Sequence, residues 1–346
     1  MSGWMTVAVP KALGAVYAYL IIAPVKHTAQ NVKPTPHLQA TDCTALSKLS
    51  SADDARLTRM CGLKANYSIT TPKVMYYSAR GPDPEDSFLD DADIMKPNLI
   101  APGNMIWAAW SSLGTDSVEF QGESFAMMSG TSMVASHIAG LAALIKQKFP
   151  HFSPAAIASA LSTTATLYDN SGGPIMAQRA YANPNVNQSP ATPFDMGSGF
   201  VNATSALDPG LILDSSKAFC FVVLNYTGQD RWAYNSTVGS ADLNLPSITI
   251  ARLNQSKTVE KTVSNIAGNE TYRIGWSAPY GVSVKVTPAH FFIGMEEKQV
   301  LTILFNATMN HSATSFGRTG LFGDQGHKLH IPLSVIVKFS YDTTNS

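Results

Sequence analysis

Cysteine is scarce: Cys43, Cys61 and Cys220 are the whole complement. At most one disulfide fits, with one free thiol left over, so a dense disulfide framework is excluded as the source of stability. Charge is also thin, 14% of residues against roughly 25% in ordinary soluble proteins. The 24 basic residues balance 24 acidic ones, which leaves no excess of positive charge to hold a nucleic acid or another polyanion. The histidines and cysteines lack metal-ligand spacing, and the acidic run from Asp83 to Asp93 lacks that of a calcium loop and reads as a solvated loop. No metal and no cofactor is expected. The apolar stretch from Ala12 to Val25 follows Lys11 and is too short to span a bilayer. It fits the hydrophobic part of a signal peptide or, equally well, a buried strand or helix of a truncated domain.

What is abundant is the triplet Asn-x-Ser/Thr. Nine occur, beginning at Asn66, Asn187, Asn202, Asn225, Asn235, Asn254, Asn269, Asn306 and Asn310, and seven of them crowd between Asn202 and Asn310. Such density is expected of a secreted or vacuolar glycoprotein.

At 346 residues the chain exceeds the size at which one core usually stops growing, about 250 to 300 residues, so two domains are expected. Residues 1–72 show no sustained period and read as irregular. From Val74 the texture changes. Val74 to Ser78 and Asn98 to Ala101 are short strand candidates, each ending in Gly/Pro turn chemistry. From Ser132 to Phe149, the residues Val134, Ile138, Leu141 and Ile145 share one helical face; Lys146 and Lys148 sit where the helix dipole favours cations, and Pro150 ends the run. Ser153-Pro154 opens a second helix, an N-cap serine followed by proline in the first turn. Beyond about Asp214 only β-type segments remain, at 247–251, 258–263, 271–277, 282–286, 300–306, 317–322 and 329–339. Seven strands at this spacing fit a small antiparallel sandwich.

One run carries chemistry. Ser129-Gly130-Thr131-Ser132-Met133 places small residues and a glycine at the head of the amphipathic helix. A serine there has a free backbone N–H beside its hydroxyl, so one residue can both attack a carbonyl and donate to the oxyanion that develops. Gly130 to Met133 resembles the nucleophile segment of the subtilisin-like serine proteases. The likeness extends to Tyr77-Ser78-Ala79-Arg80-Gly81-Pro82, to Met95 through Gly103, to Ala108-Ala109-Trp110-Ser111 and to His137-Ile138-Ala139-Gly140. It continues through Ser153 to Ile157, Ser162 to Ala165, Gly197 to Asn202 and Asp208-Pro209-Gly210-Leu211. The segments Asp242 to Ser247 and Gly281 to Pro288 resemble the fibronectin type III-like domain that ends plant subtilases. The resemblance covers roughly Val74 to Phe339.

The resemblance implies a fold in two parts, an α/β portion with part of a subtilisin-like parallel-sheet domain and then an all-β fibronectin type III-like sandwich. The expected boundaries are 1–72 as an irregular region, a remnant of a protease-associated insertion or a cryptic signal segment; 73–216 as the C-terminal half of the peptidase domain; 217–242 as a linker; and 243–340 as the sandwich. It also implies a serine endopeptidase acting on protein or peptide substrates, with Ser132 as nucleophile and backbone oxyanion donor.

The rest of the catalytic set is missing. The family order is aspartate, histidine, oxyanion asparagine, serine, with the histidine in His-Gly-Thr. The histidines ahead of Ser132 are His27 and His37, followed by Thr28 and Leu38, and no Asp-Thr-Gly or Asp-Ser-Gly occurs. Asp116 lies too close to Ser132 for the family layout. Asn104 occupies the variable position after Ala-Pro-Gly and is not the oxyanion asparagine. Asn98 stands where the family commonly has aspartate, and Ser136 replaces a proline. His137 lies five residues along the same helix, about 140° round its axis from Ser132, and reads as a packed structural histidine. Ser129 reads as a small residue that fits, or as a cap on the helix. A serine hydroxyl without a base is a poor nucleophile, and losing triad members costs on the order of 10⁴ to 10⁶ in rate, a magnitude known from subtilisin itself. The chain alone is therefore expected to be nearly inert. The competing expectation is a non-catalytic secreted glycoprotein that acts through its sandwich.

Overall fold

The computed structural model describes residues 38–39, 64–65, 70–82, 94–114, 120–215, 243–309 and 311–337. The cysteines, His27, His37, Asp116, the run 83–93, the apolar stretch 12–25, Asn66, Asn225, Asn235, Asn310 and all of 217–242 lie outside the described residues. The chain divides into two compact units: the described residues within 1–75, 101–143 and 168–173 form one, and those within 76–100, 144–167 and 174–346 form the other.

The first unit holds three short strands and a hairpin. β1 (Leu38–Gln39) pairs antiparallel with β2 (Lys64–Ala65), and β3 covers Lys73–Val74. The hairpin joins β4 (Ile106–Ala109) to β5 (Phe125–Met128) with Ile106 opposite Met128. Trp107 and Ala126 are its buried residues. The chain leaves β5 through Ser129 and Gly130 into α1, Thr131–Lys148. The apolar face read from the sequence is the less exposed one, yet Ile145 is the helix's one buried residue. Sequence reasoning placed strands at 74–78 and 98–101. The structure gives only β3 and a single parallel bridge from Ile100 to Phe200, since Pro97 and Pro102 on either side lack the N–H a ladder needs.

In the second unit α2 spans Pro154–Thr163; Ser153 caps it by accepting from the Ala156 N–H at 3.0 Å. β6 (Met176–Gln178) and β7 (Gln188–Pro190) pair antiparallel. Two short helices follow, α3 (Pro193–Met196) and α4 (Ala203–Ala206). β8 (Leu211–Ile212) then pairs with the first long strand of the sandwich.

That sandwich comprises β9 (Ile248–Leu253), β10 (Ser256–Asn265), β11 (Glu270–Ser277), β12 (Val282–Thr287), β13 (His290–Ile293), β14 (Lys298–Ala307), β15 (Ala313–Gly323) and β16 (Lys328–Val337). One sheet has the order β12-β14-β10-β8, the other β13-β11-β15-β16-β9. Strict alternation along β10, β12 and β14 turns Val259, Val263, Val284, Val286, Leu301, Ile303 and Phe305 inward. They meet Tyr272, Ile274, Leu329, Ile331, Leu333 and Val335 from the facing sheet in one apolar core. Pairing is antiparallel except that β16 and β9 run parallel. β13 and β8 are too short to stand out in the sequence, which is why seven strands were read there rather than eight with an added edge.

β16 is buried on both faces. Its outer face is covered by 193–199, where the Ser198 carbonyl accepts from His330 Nε2 at 2.7 Å, and beside it Phe194 meets Phe316 of β15 edge-to-face at 4.9 Å.

Candidate active site

Ser132 is the second residue of α1 and is exposed. Its amide belongs to the first helical turn, whose N–H groups have no acceptor within the helix. Two segments meet to set this corner. Gly130 N–H donates to the Gly103 carbonyl at 2.8 Å, and Met105 N–H donates to Ser129 Oγ at 2.7 Å. Ser129 therefore fastens the 103–105 loop; it is not a helix cap. Gly103 is required by space rather than by dihedral freedom, because a Cβ there would fall 2.3 Å from Val134 Cγ2 and 3.0 Å from the Gly130 carbonyl oxygen. The Ala-Pro-Gly segment and the head of α1 thus pack with a glycine between them.

The Ser132 carbonyl accepts from Ser136 Oγ at 3.2 Å. Among the described residues no side chain hydrogen-bonds the Ser132 hydroxyl. No hydrogen bond joins His137 to that hydroxyl: His137 Nδ1 lies 2.8 Å from the Met133 carbonyl on the same helix and donates to it. Burial lowers the His137 pKa below the ordinary histidine value, against the opposing pull of that carbonyl. Such a neutral imidazole, tied to its own helix turn, has the bonding of a packed structural residue.

In the second unit the other quoted segments meet one another. Ile100 N–H donates to the Gly199 carbonyl at 2.8 Å, and Val201 N–H to the Ile100 carbonyl at 2.9 Å. Gly197, at φ 58°, would place a Cβ 2.2 Å from the Asn98 carbonyl oxygen. Asn98 Oδ1 accepts from Lys96 Nζ at 3.0 Å, so the change from the family's usual aspartate leaves it with a local cationic partner. Arg80 and Arg179 converge on the buried Asp195. Burial opposes ionisation there, but the Arg179 bonds and those from the Thr192 N–H and hydroxyl outweigh it and hold the Asp195 pKa below its ordinary value. Sequence reasoning missed this Arg-Asp-Arg cluster and the spacer role of Gly103; Arg80 beside Gly81-Pro82 was the available signal for the first, and a glycine after Ala-Pro for the second.

The Subtilase family pattern matches residues 30–199, reaching back into the stretch read as irregular, and a fibronectin type-III domain pattern matches residues 242–335. The chain belongs to the plant subtilisin-like serine protease family. Similar Arabidopsis thaliana proteins include Subtilisin-like protease SBT2.3, 59% identical over 81% of this chain and 34% of that one, and Subtilisin-like protease SBT2.1, 61% identical over 81% and 35%. Subtilisin-like protease SBT2.5 of the same plant is 40% identical over 76% of this chain and 34% of its own length. The chain spans about a third of the length of these curated relatives.

Proposed function

We propose that this chain supplies the nucleophile of a subtilisin-type serine endopeptidase, with residues 73–216 as the nucleophile-bearing part and 243–340 as the sandwich. Ser132 Oγ attacks the scissile carbonyl carbon, and the Ser132 N–H helps hold the resulting oxyanion. The hydroxyl proton passes to a histidine outside this chain and then to the leaving amine, and water hydrolyses the acyl-enzyme. The observation that carries this reading is the exposure of Ser132 in the open first turn of α1, fixed by the Gly130–Gly103 bond. Neither histidine preceding it in the chain has the family's context, so the chain alone is nearly inert.

The substrate is a protein or peptide, and the route is secretory, to the apoplast or vacuole, in keeping with the crowded sequons. No helix among the described residues is long and apolar enough to cross a membrane. The test is a chimera in which residues 73–216 replace the matching segment of a subtilase of measured peptidase activity. Peptide hydrolysis that disappears in Ser132→Ala supports the reading. A folded but inactive chimera contradicts it and leaves the sandwich-binding alternative in place.

A further inference from the structure

Five of the sequons lie among the described residues, and the structure sets one apart. Asn187 already donates from Nδ2 to the Ala182 carbonyl at 2.9 Å, and its downstream Ser189 hydroxyl accepts from Arg179. Asn202 is half-buried and caps α4, accepting from the Ser205 N–H. Asn254 is exposed beside Gln255, which has φ 60°. Asn306 is half-buried within β14, between the backbones of Ser256 and Ser283.

Asn269 differs in three ways. First, Asn269, just before β11, and Thr271 are exposed while Glu270 between them is buried, its carboxylate held by the Tyr272 hydroxyl at 2.5 Å, His327 Nδ1 at 2.7 Å and the Gln325 N–H at 2.9 Å. The orientation of the triplet is therefore anchored in the core. Second, Asn269 Oδ1 accepts from the Met295 N–H at 3.0 Å. That bond uses the amide oxygen, and among the described residues Nδ2, the atom that bears sugar, makes no hydrogen bond. Third, Phe292 is the cross-strand partner of Thr271 and is 64% exposed; Met295 beside it is 61% exposed. Glu270 opposite Ile293 is the end pair of this ladder, so Asn269 follows directly on the strand end, two residues from the cross-strand partner of Phe292.

We propose that Asn269 carries an N-linked glycan whose first N-acetylglucosamine lays its apolar C–H face on the Phe292 ring. The glycan is attached to the nascent chain, and the folded sandwich then accommodates it without breaking an existing bond. Packing on Phe292 removes apolar ring surface from water and stabilises the sandwich.

The inference rests on the secretory reading, so the experiment supplies the route: the full chain is expressed in plant cells behind a cleavable secretory leader. Glycans are released with a glycosidase in heavy-oxygen water, which marks each former glycan site as a labelled aspartate for peptide mass spectrometry. Asn269 is expected to be occupied in most molecules, and Thr271→Val is expected to empty that site alone. Glycan removal should lower Tm by about 2 to 4 °C, and Phe292→Ala should abolish this difference while leaving occupancy intact. Other sequons occupied with Asn269 bare, or no sequon occupied, overturns the site. A Tm difference that survives Phe292→Ala overturns the packing. A native product found in the cytosol overturns the route instead, which this design keeps separate.

Discussion

His330 Nε2 donates to the carbonyl of Ser198 at 2.7 Å, across 132 positions of sequence. The bond joins β16 of the sandwich to the Gly197-Ser198-Gly199 turn, so the subtilase part and the fibronectin part share a buried polar contact. Burial, with a smaller contribution from the charge of Arg318 and against the pull of the Ser198 carbonyl, pushes the His330 pKa down to about 4.

The sign of the resulting pH dependence follows. The unfolded imidazole, with a pKa near 6.5, takes up a proton at a pH where the native one stays neutral. Stability contributed by neutral His330 is complete above about pH 6.5 and is lost as pH falls toward about 4, up to about 3 kcal/mol. Urea midpoints of the full chain at pH 7 and pH 4.5 check this. The wild-type midpoint should fall between the two, and His330→Gln should flatten the dependence.

Asp195 titrates lower still. Its folded pKa is depressed, so the stability it contributes is present above the unfolded carboxyl value of about 3.9 and is lost as pH falls through the folded value. Asp195→Asn at neutral pH leaves Arg80 and Arg179 facing a neutral amide. The expected loss is about 2 to 4 kcal/mol, because the arginine side chains are 23% and 36% exposed and a wholly buried broken pair costs about 3 to 5 kcal/mol. Chemical denaturation at pH 7 measures it.

Gly103→Ala drives a methyl group into Val134 Cγ2, 2.3 Å away. The expected cost is about 1 to 3 kcal/mol, together with displacement of the loop that meets Gly130. In the peptidase chimera this should lower kcat more than KM, and Val134→Ala should restore part of the loss by clearing the space. Equal effects of Gly103→Ala with and without Val134→Ala would reject the steric account.

Long-period signals were legible in the sequence. The capping serine at 153, the face of α1 and most of the sandwich strands are set by local patterns of apolar and polar residues, and the structure places them within a few positions. The misses share a cause, since each is decided by partners distant in the chain. β13 and β8 are defined by pairing with β11 and β10, and β16 loses its alternation because 193–199 cover its outer face. At the candidate site the place of Ser132 at the head of α1 was readable from the sequence. The role of Ser129 was not, because it depends on the Met105 amide 24 residues away.

Under the proposed function Ser132 is a nucleophile parted from its base, and covalent labelling by a fluorophosphonate reads that state directly. Ser132 in the isolated chain should label no faster than the Ser132→Ala background, and His137→Gln should change nothing; the same serine in the peptidase chimera should label rapidly. Fast, Ser132-dependent labelling of the isolated chain, or a chimera that hydrolyses peptides while Ser132 stays unlabelled, would contradict it.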